Sequence, residues 1–231
     1  GELLAMEPGA AEAFAALRLG YTETAGSPEL RHEIASLYHG ITADDILVFA
    51  GAEEAIFVFM NAALHPGDHL IVHSPCYQSL ASVAAAAGCR VTRWEAAAEQ
   101  GWAPDNERLS REVTAATRAI VVNFPHNPTG YQPSRPEWDA IIGAVRGAGA
   151  MLFSDEMYRE LEYDESARLP SACDCYERAI TLSGLSKSFG LPGLRVGWLA
   201  TQDRDLLAKA GSIKDYTTIC SSAPSEILGV I

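Results

Sequence analysis

Apolar positions fall into seven short runs, at residues 46–50, 69–73, 89–94, 119–123, 150–154, 179–183 and 195–200. Several are apolar almost without a break (ILVFA, AIVVNF, AMLF), the pattern of strands covered on both faces. Between them lie longer stretches with helical spacing, at 27–39, 52–64, 78–87, 107–116, 136–147 and 203–210. The punctuation agrees: Ser27-Pro28 sets a cap before a proline at the first helical position, and His65-Pro66-Gly67-Asp68 is a turn that stops the preceding helix. The alternation predicts an α/β fold, a mostly parallel seven-stranded sheet with helices on both faces, in one continuous domain without repeats. In such sheets ligands bind beyond the carboxyl ends of the strands, so the residues that follow each strand are the ones to read for chemistry.

Composition narrows the partners. A chain of 231 residues suits one large domain or a domain with part of another, and 48% hydrophobic with 20% charged residues is ordinary for a globular protein. The net charge of −13 is spread as single residues and short pairs, which repels phosphate backbones and argues against nucleic acid. No run approaches the ~18 apolar residues that span a bilayer, and no signal-peptide pattern is present, so no membrane partner is expected. The five cysteines (Cys76, Cys89, Cys173, Cys175, Cys220) are odd in number and lack paired spacing, which argues against a disulfide framework. Cys173-Asp174-Cys175 has no second pair or histidines at zinc spacing, so no metal is expected. A cytoplasmic location is the default expectation.

Four constellations follow predicted strands. In Ser183-Gly184-Leu185-Ser186-Lys187-Ser188-Phe189-Gly190-Leu191-Pro192-Gly193-Leu194-Arg195, a lysine sits among small residues with an arginine eight positions on. Most lysines are solvated cations, but one in a desolvated, cationic site loses its proton and can attack a carbonyl, and the arginine offers a fork for a phosphate. Asn123-Phe124-Pro125-His126-Asn127-Pro128-Thr129-Gly130 reads either as a plain Asx-Pro turn or as a rigid turn that aims the Asn127 amide at a phenolic oxygen. Asp155 and Tyr158, in Ser154-Asp155-Glu156-Met157-Tyr158, could cap the next segment or face one ligand together. Ala50-Gly51-Ala52-Glu53-Glu54-Ala55 turns from strand into helix, a ready anion site that is weak as a signal by itself. A dinucleotide site is excluded, because Gly190, Gly193 and Gly197 are spaced wrongly for G-x-G-x-x-G.

Taken in order, the motifs Y-x4-G-x3-LR, NPTG, D-x-x-Y and S-K-x-F-G-x-x-G-x-R-x-G resemble those of the class I/II aminotransferases, the fold-type-I pyridoxal-phosphate enzymes, over residues 21–200. The resemblance implies that Lys187 carries pyridoxal 5'-phosphate as a Schiff base and then moves the substrate's alpha proton. Asp155 would keep the pyridine nitrogen protonated, Tyr158 and Asn127 would bind the ring hydroxyl oxygen, and Tyr77 would stack on the ring. Gly51, the amides of Ala52 and Glu53, Ser186 and Arg195 would hold the phosphate, with Tyr21 reaching the phosphate of the partner subunit in a homodimer. Two departures stand out: Gly184 replaces the hydroxyl common three residues before the lysine, with Ser183 as a substitute, and Glu53 must turn its carboxylate away from a phosphate. The resemblance also implies that residues 1–231 are the large cofactor-binding domain, lacking the N-terminal arm and most of a C-terminal small domain. Such a chain would bind cofactor but transaminate poorly.

The activity expected is amino-group transfer between an L-amino acid and a 2-oxo acid. The same core also suits C–S lyases, aminocyclopropane-carboxylate synthases and amino-acid cyclases. Third in order is a non-catalytic regulatory domain that binds the cofactor, though no DNA-binding segment precedes Tyr21.

Overall fold

The computed structural model describes residues 2–231. All seven predicted strands form: β1 (Ile46–Phe49), β2 (His69–Ser74), β3 (Arg90–Glu95), β4 (Thr117–Asn123), β5 (Met151–Asp155), β6 (Ala179–Gly184) and β7 (Gly197–Ala200). They make one sheet in the order β1-β7-β6-β5-β4-β2-β3. Only β7 runs against its neighbours, antiparallel to both β1 and β6. The helices are α1 (Ala10–Ala15), α2 (Pro28–Ser36), α3 (Ala52–Ala63), α4 (Ser79–Ala86), α5 (Asn106–Glu112), α6 (Arg135–Ala148), α7 (Ala172–Cys175), α8 (Arg204–Lys214) and α9 (Ala223–Val230).

Strand periodicity explains the layers. Along β4, Ala119 and Val121 join one core with residues of α3, α4 and α8, while Ile120 and Val122 join a second with residues of α5, α6 and α7. Both faces are dry, which is why the strands read as unbroken apolar runs. Each such Val or Ile contributes about 1.5–3 kcal/mol by leaving water. A third cluster packs α2 against β1 and β7 through Leu30, Ile34, Val48 and Trp198.

Local signals set the helix ends. Ser27 Oγ accepts from the Leu30 amide at 3.3 Å with Pro28 following, and Ser134 and Glu137 form a reciprocal capping box at the start of α6. Gly149 ends α6 in the left-handed conformation (φ 64°). Several boundaries differ from the pattern. The chain leaves α2 at Ser36 because the Asp174 carboxylate captures the amides of His39 and Gly40 at 2.9 and 2.8 Å. The predicted helix at 107–116 ends at Glu112, where β-branched Val113 turns extended (φ −70°, ψ 129°). Helix α8 runs on to Lys214, four residues beyond the expected end.

Candidate active site

The carboxyl ends of the parallel strands converge on a cavity of about 230 Å³. Ala52, Glu53, Tyr77, Asn127, Asp155, Tyr158, Ser186, Lys187 and Arg195 line it, together with Ile56, Met157 and Pro192, which motif reading did not single out. The Lys187 amine lies 5.9 Å from the centre of the Tyr158 ring. Asp155 closes β5 and is 5% exposed, its Oδ1 accepting from the Met157 amide at 3.1 Å. Burial pushes its carboxyl up to about 7, against the lowering effect of the Met157 amide, while the nearby carboxylates of Glu156 and Glu53 add to the rise and Lys187 opposes it. A cation placed beside Asp155 would therefore meet a carboxylate that needs one.

The opposite wall is built by close backbone approach. A Cβ on Gly197 would lie 2.5 Å from the Ala52 nitrogen, so only glycine lets the start of α3 settle on β7. First-turn amides of such a helix have no partner within the helix and carry partial positive charge. Arg195 was expected to open the seventh strand. Instead it adopts the left-handed conformation (φ 53°, ψ 50°) two residues before β7, which folds its guanidinium back over Gly51. A Cβ on Gly51 (φ 95°) would stand 2.3 Å from Arg195 Nη2. Guanidinium and helix N-terminus thus share one corner of the cavity that Ser186 also lines, an arrangement suited to a phosphate.

The departures noted in the sequence resolve physically. Glu53 Oε2 accepts from Ser79 Oγ at 3.0 Å, which draws its carboxylate towards α4. Proximity of that carboxylate, with burial, pushes the Tyr77 phenol upward. Gly184 has no room for a hydroxyl-bearing side chain, since a Cβ there would meet the Val196 carbonyl oxygen at 2.9 Å, and Ser183 does not line the cavity. Tyr21 lies away from this chain's cavity and is 87% exposed. Ser188 is a contributor that motif reading passed over: its hydroxyl donates to the Arg159 carbonyl, with the Met157 carbonyl 3.1 Å away, and so ties the Lys187 loop to the segment after Asp155.

This chemistry fits pyridoxal phosphate: an amine and a buried carboxylate line one cavity that also offers the Arg195 guanidinium and the first-turn amides of α3, which a phosphate needs. Comparison with known proteins agrees. Residues 10–229 match the family model for aminotransferase class I and II, and the chain belongs to that family. It is 34% identical to the arginine–pyruvate transaminase of Pseudomonas aeruginosa over 188 residues, covering 78% of this chain and 47% of the relative. It is 32% identical to the capreomycidine synthase of Streptomyces vinaceus over 206 residues, covering 89% of this chain and 52% of the relative. A solved PLP-dependent aminotransferase from Streptococcus suis superposes with a TM-score of 0.92 at 30% identity, over 99% of this chain and 61% of that one. The chain spans about half the length of the curated relatives it matches. Among the described residues no helix is long and apolar enough to cross a membrane, and no group of three or more His, Cys, Asp or Glu could hold a metal ion.

Proposed function

We propose that this chain forms the large, cofactor-binding domain of a pyridoxal-phosphate-dependent aminotransferase, which moves an amino group between an L-amino acid and a 2-oxo acid. The observation that carries the reading is the placement of the Lys187 amine and the Asp155 carboxylate on one cavity. When bound, the cofactor supplies an electron sink for the substrate's alpha carbon. Lys187 would hold the cofactor through its amine, and as a free amine would move the proton at that alpha carbon. Asp155 stays ionised against the ring nitrogen. Tyr158 and Asn127 orient the ring oxygen, and Tyr77 covers the ring face. Gly51, the amides of Ala52 and Glu53, Ser186 and Arg195 hold the phosphate. Elimination or cyclisation would use the same lysine, and the transaminase named among the relatives favours transfer.

Two further points belong to the proposal. A homodimer is supported by exposed Tyr21 (87%), Tyr216 (93%) and Ile219 (48%), since Thr22 bonds to the Ser221 carbonyl at 3.0 Å and so joins the segments that carry them. A cytoplasmic location is supported by five free cysteines. Incubation of the full-length protein with a panel of amino acids and a 2-oxo acid tests the activity. Amino-acid-dependent conversion of the oxo acid to its amino acid is expected, whereas release of ammonia or pyruvate without transfer would assign a lyase instead.

A further inference from the structure

Beside the cavity, and separate from it, four polar atoms on the far side of β5 have no protein partner: Glu156 Oε2, Arg159 Nε, Gln132 Oε1 and Trp138 Nε1. Their residues line one small cavity of about 10 Å³, walled by Phe124, Trp138 and Leu169. Glu156 is 5% exposed. Its other oxygen is engaged, accepting from the Ala172 amide at 2.9 Å and from the Thr181 hydroxyl at 3.2 Å. Arg159 Nε stands 3.9 Å from Glu156 Oε2, too far for a direct hydrogen bond. A buried carboxyl oxygen and a guanidinium N–H left unmet both forfeit the hydrogen bonds they make in water.

We propose that this cavity binds one water molecule, which bridges Arg159 and Trp138 to Glu156 and Gln132. The volume is that of about one water. The water accepts from Arg159 Nε–H and Trp138 Nε1–H and donates to Glu156 Oε2 and Gln132 Oε1, four bonds in all, the full capacity of a buried water. A cation is opposed by the guanidinium N–H, and an anion by the carboxylate. Only a neutral donor-acceptor satisfies all four groups. The site has a structural consequence for the larger cavity. Glu156 follows Asp155 directly, and the Arg159 carbonyl accepts from Ser188, the neighbour of Lys187. The bridge therefore joins the backbone that carries the carboxylate to the loop that carries the amine.

A crystal structure at atomic resolution, with NMR cross-relaxation between bulk-frequency water and Arg159 Nε–H, tests this. The expected result is one fully occupied water peak within hydrogen-bond distance of all four atoms, and a cross-peak showing that it resides longer than surface water. Direct contact between Arg159 Nε and Glu156 with no density between them would overturn the proposal, as would density that tracks added chloride or sodium. Gln132→Leu removes one acceptor at a half-buried side chain. The variant should fold with its cavity water at reduced occupancy and its cross-peak weakened several-fold, and an unchanged cross-peak would remove Gln132 from the site. Should that variant fail to fold, the density and cross-peak of the unsubstituted protein still decide.

Discussion

Asp155 and His73 sit at the same edge of the sheet, on β5 and β2 with β4 between them, and both are polar side chains out of water (5% and 2% exposed). Burial disfavours the charge on each, pushing the Asp155 carboxyl up to about 7 and the His73 ring down to about 3. What lies in front of them differs. Asp155 opens on a cavity shared with Lys187. His73 is enclosed by Trp94, Phe124 and His126 at ring-centre distances of 5.1, 5.2 and 4.5 Å, with neither ring nitrogen partnered. The same desolvation therefore makes one residue a receptor for a cation and the other a neutral filler of an aromatic box. Space in front of a buried polar group, and an opposite charge that can enter it, separates a functional residue from a packed one.

The sharpest break of that comparison is to remove the amine that shares the cavity. Lys187→Ala should lower amino-group transfer by at least about a thousandfold, measured as initial rates at saturating cofactor, with the melting temperature nearly unchanged. His73→Leu should leave those rates within about twofold, since nothing reaches its ring.

Stability against pH gives the next largest effect, and the two residues pull in opposite directions. Asp155 has a folded pKa near 7, above its ordinary 3.8, so the cofactor-free fold loses stability as pH rises from about 4 to 7. His73 has a folded pKa near 3, below its ordinary 6.5, so the fold loses stability as pH falls from about 6.5 to 3. Each contributes up to about 1.4 kcal/mol per pH unit within its window. Urea unfolding of the cofactor-free protein should therefore find Asp155→Asn more stable than the parent at pH 8 by a few kcal/mol, while that variant loses activity. His73→Leu should flatten the decline on the acid side. If both variants keep the parent's pH slope, the burial argument fails.

A smaller effect is expected at Gly51, where alanine must adopt φ 95° and crowd Arg195. Gly51→Ala should cost about 1–3 kcal/mol in unfolding free energy and weaken cofactor affinity, measured by fluorescence titration, by about tenfold. Smallest of all is Tyr77→Phe. The ring is half exposed and its hydroxyl faces the Glu53 carboxylate, so affinity should change by less than about threefold.

Much of this was legible along the chain. The doubly covered strands announced themselves because each alternates between two dry cores, as Ala119 to Val122 do on β4. Most of the cavity residues were legible because they stand at or just after the end of a strand, as Asp155 and Lys187 do. Other features depend on contacts remote in sequence. Arg195 reads as the start of a strand, and only the left-handed turn that aims it at Gly51 takes it out. Helices α1 and α7 went unread because AAEAFA has no apolar stripe and α7 is one turn long, and α9 also went unread. Ser188 looks like any serine after a lysine until the Met157 and Arg159 carbonyls are brought to it by β5. Gly197 reveals its reason only once α3 lies on it.

The central claim is that one amine, at Lys187, holds a cofactor whose ring nitrogen meets Asp155. Borohydride reduction of the protein with pyridoxal phosphate, followed by peptide mapping, measures it directly. One phosphopyridoxyl group per chain on the peptide containing Lys187 is the predicted result, with labelling abolished in Lys187→Ala and weakened in Asp155→Asn. A label on Lys209, on Lys214 or spread over several lysines would contradict it.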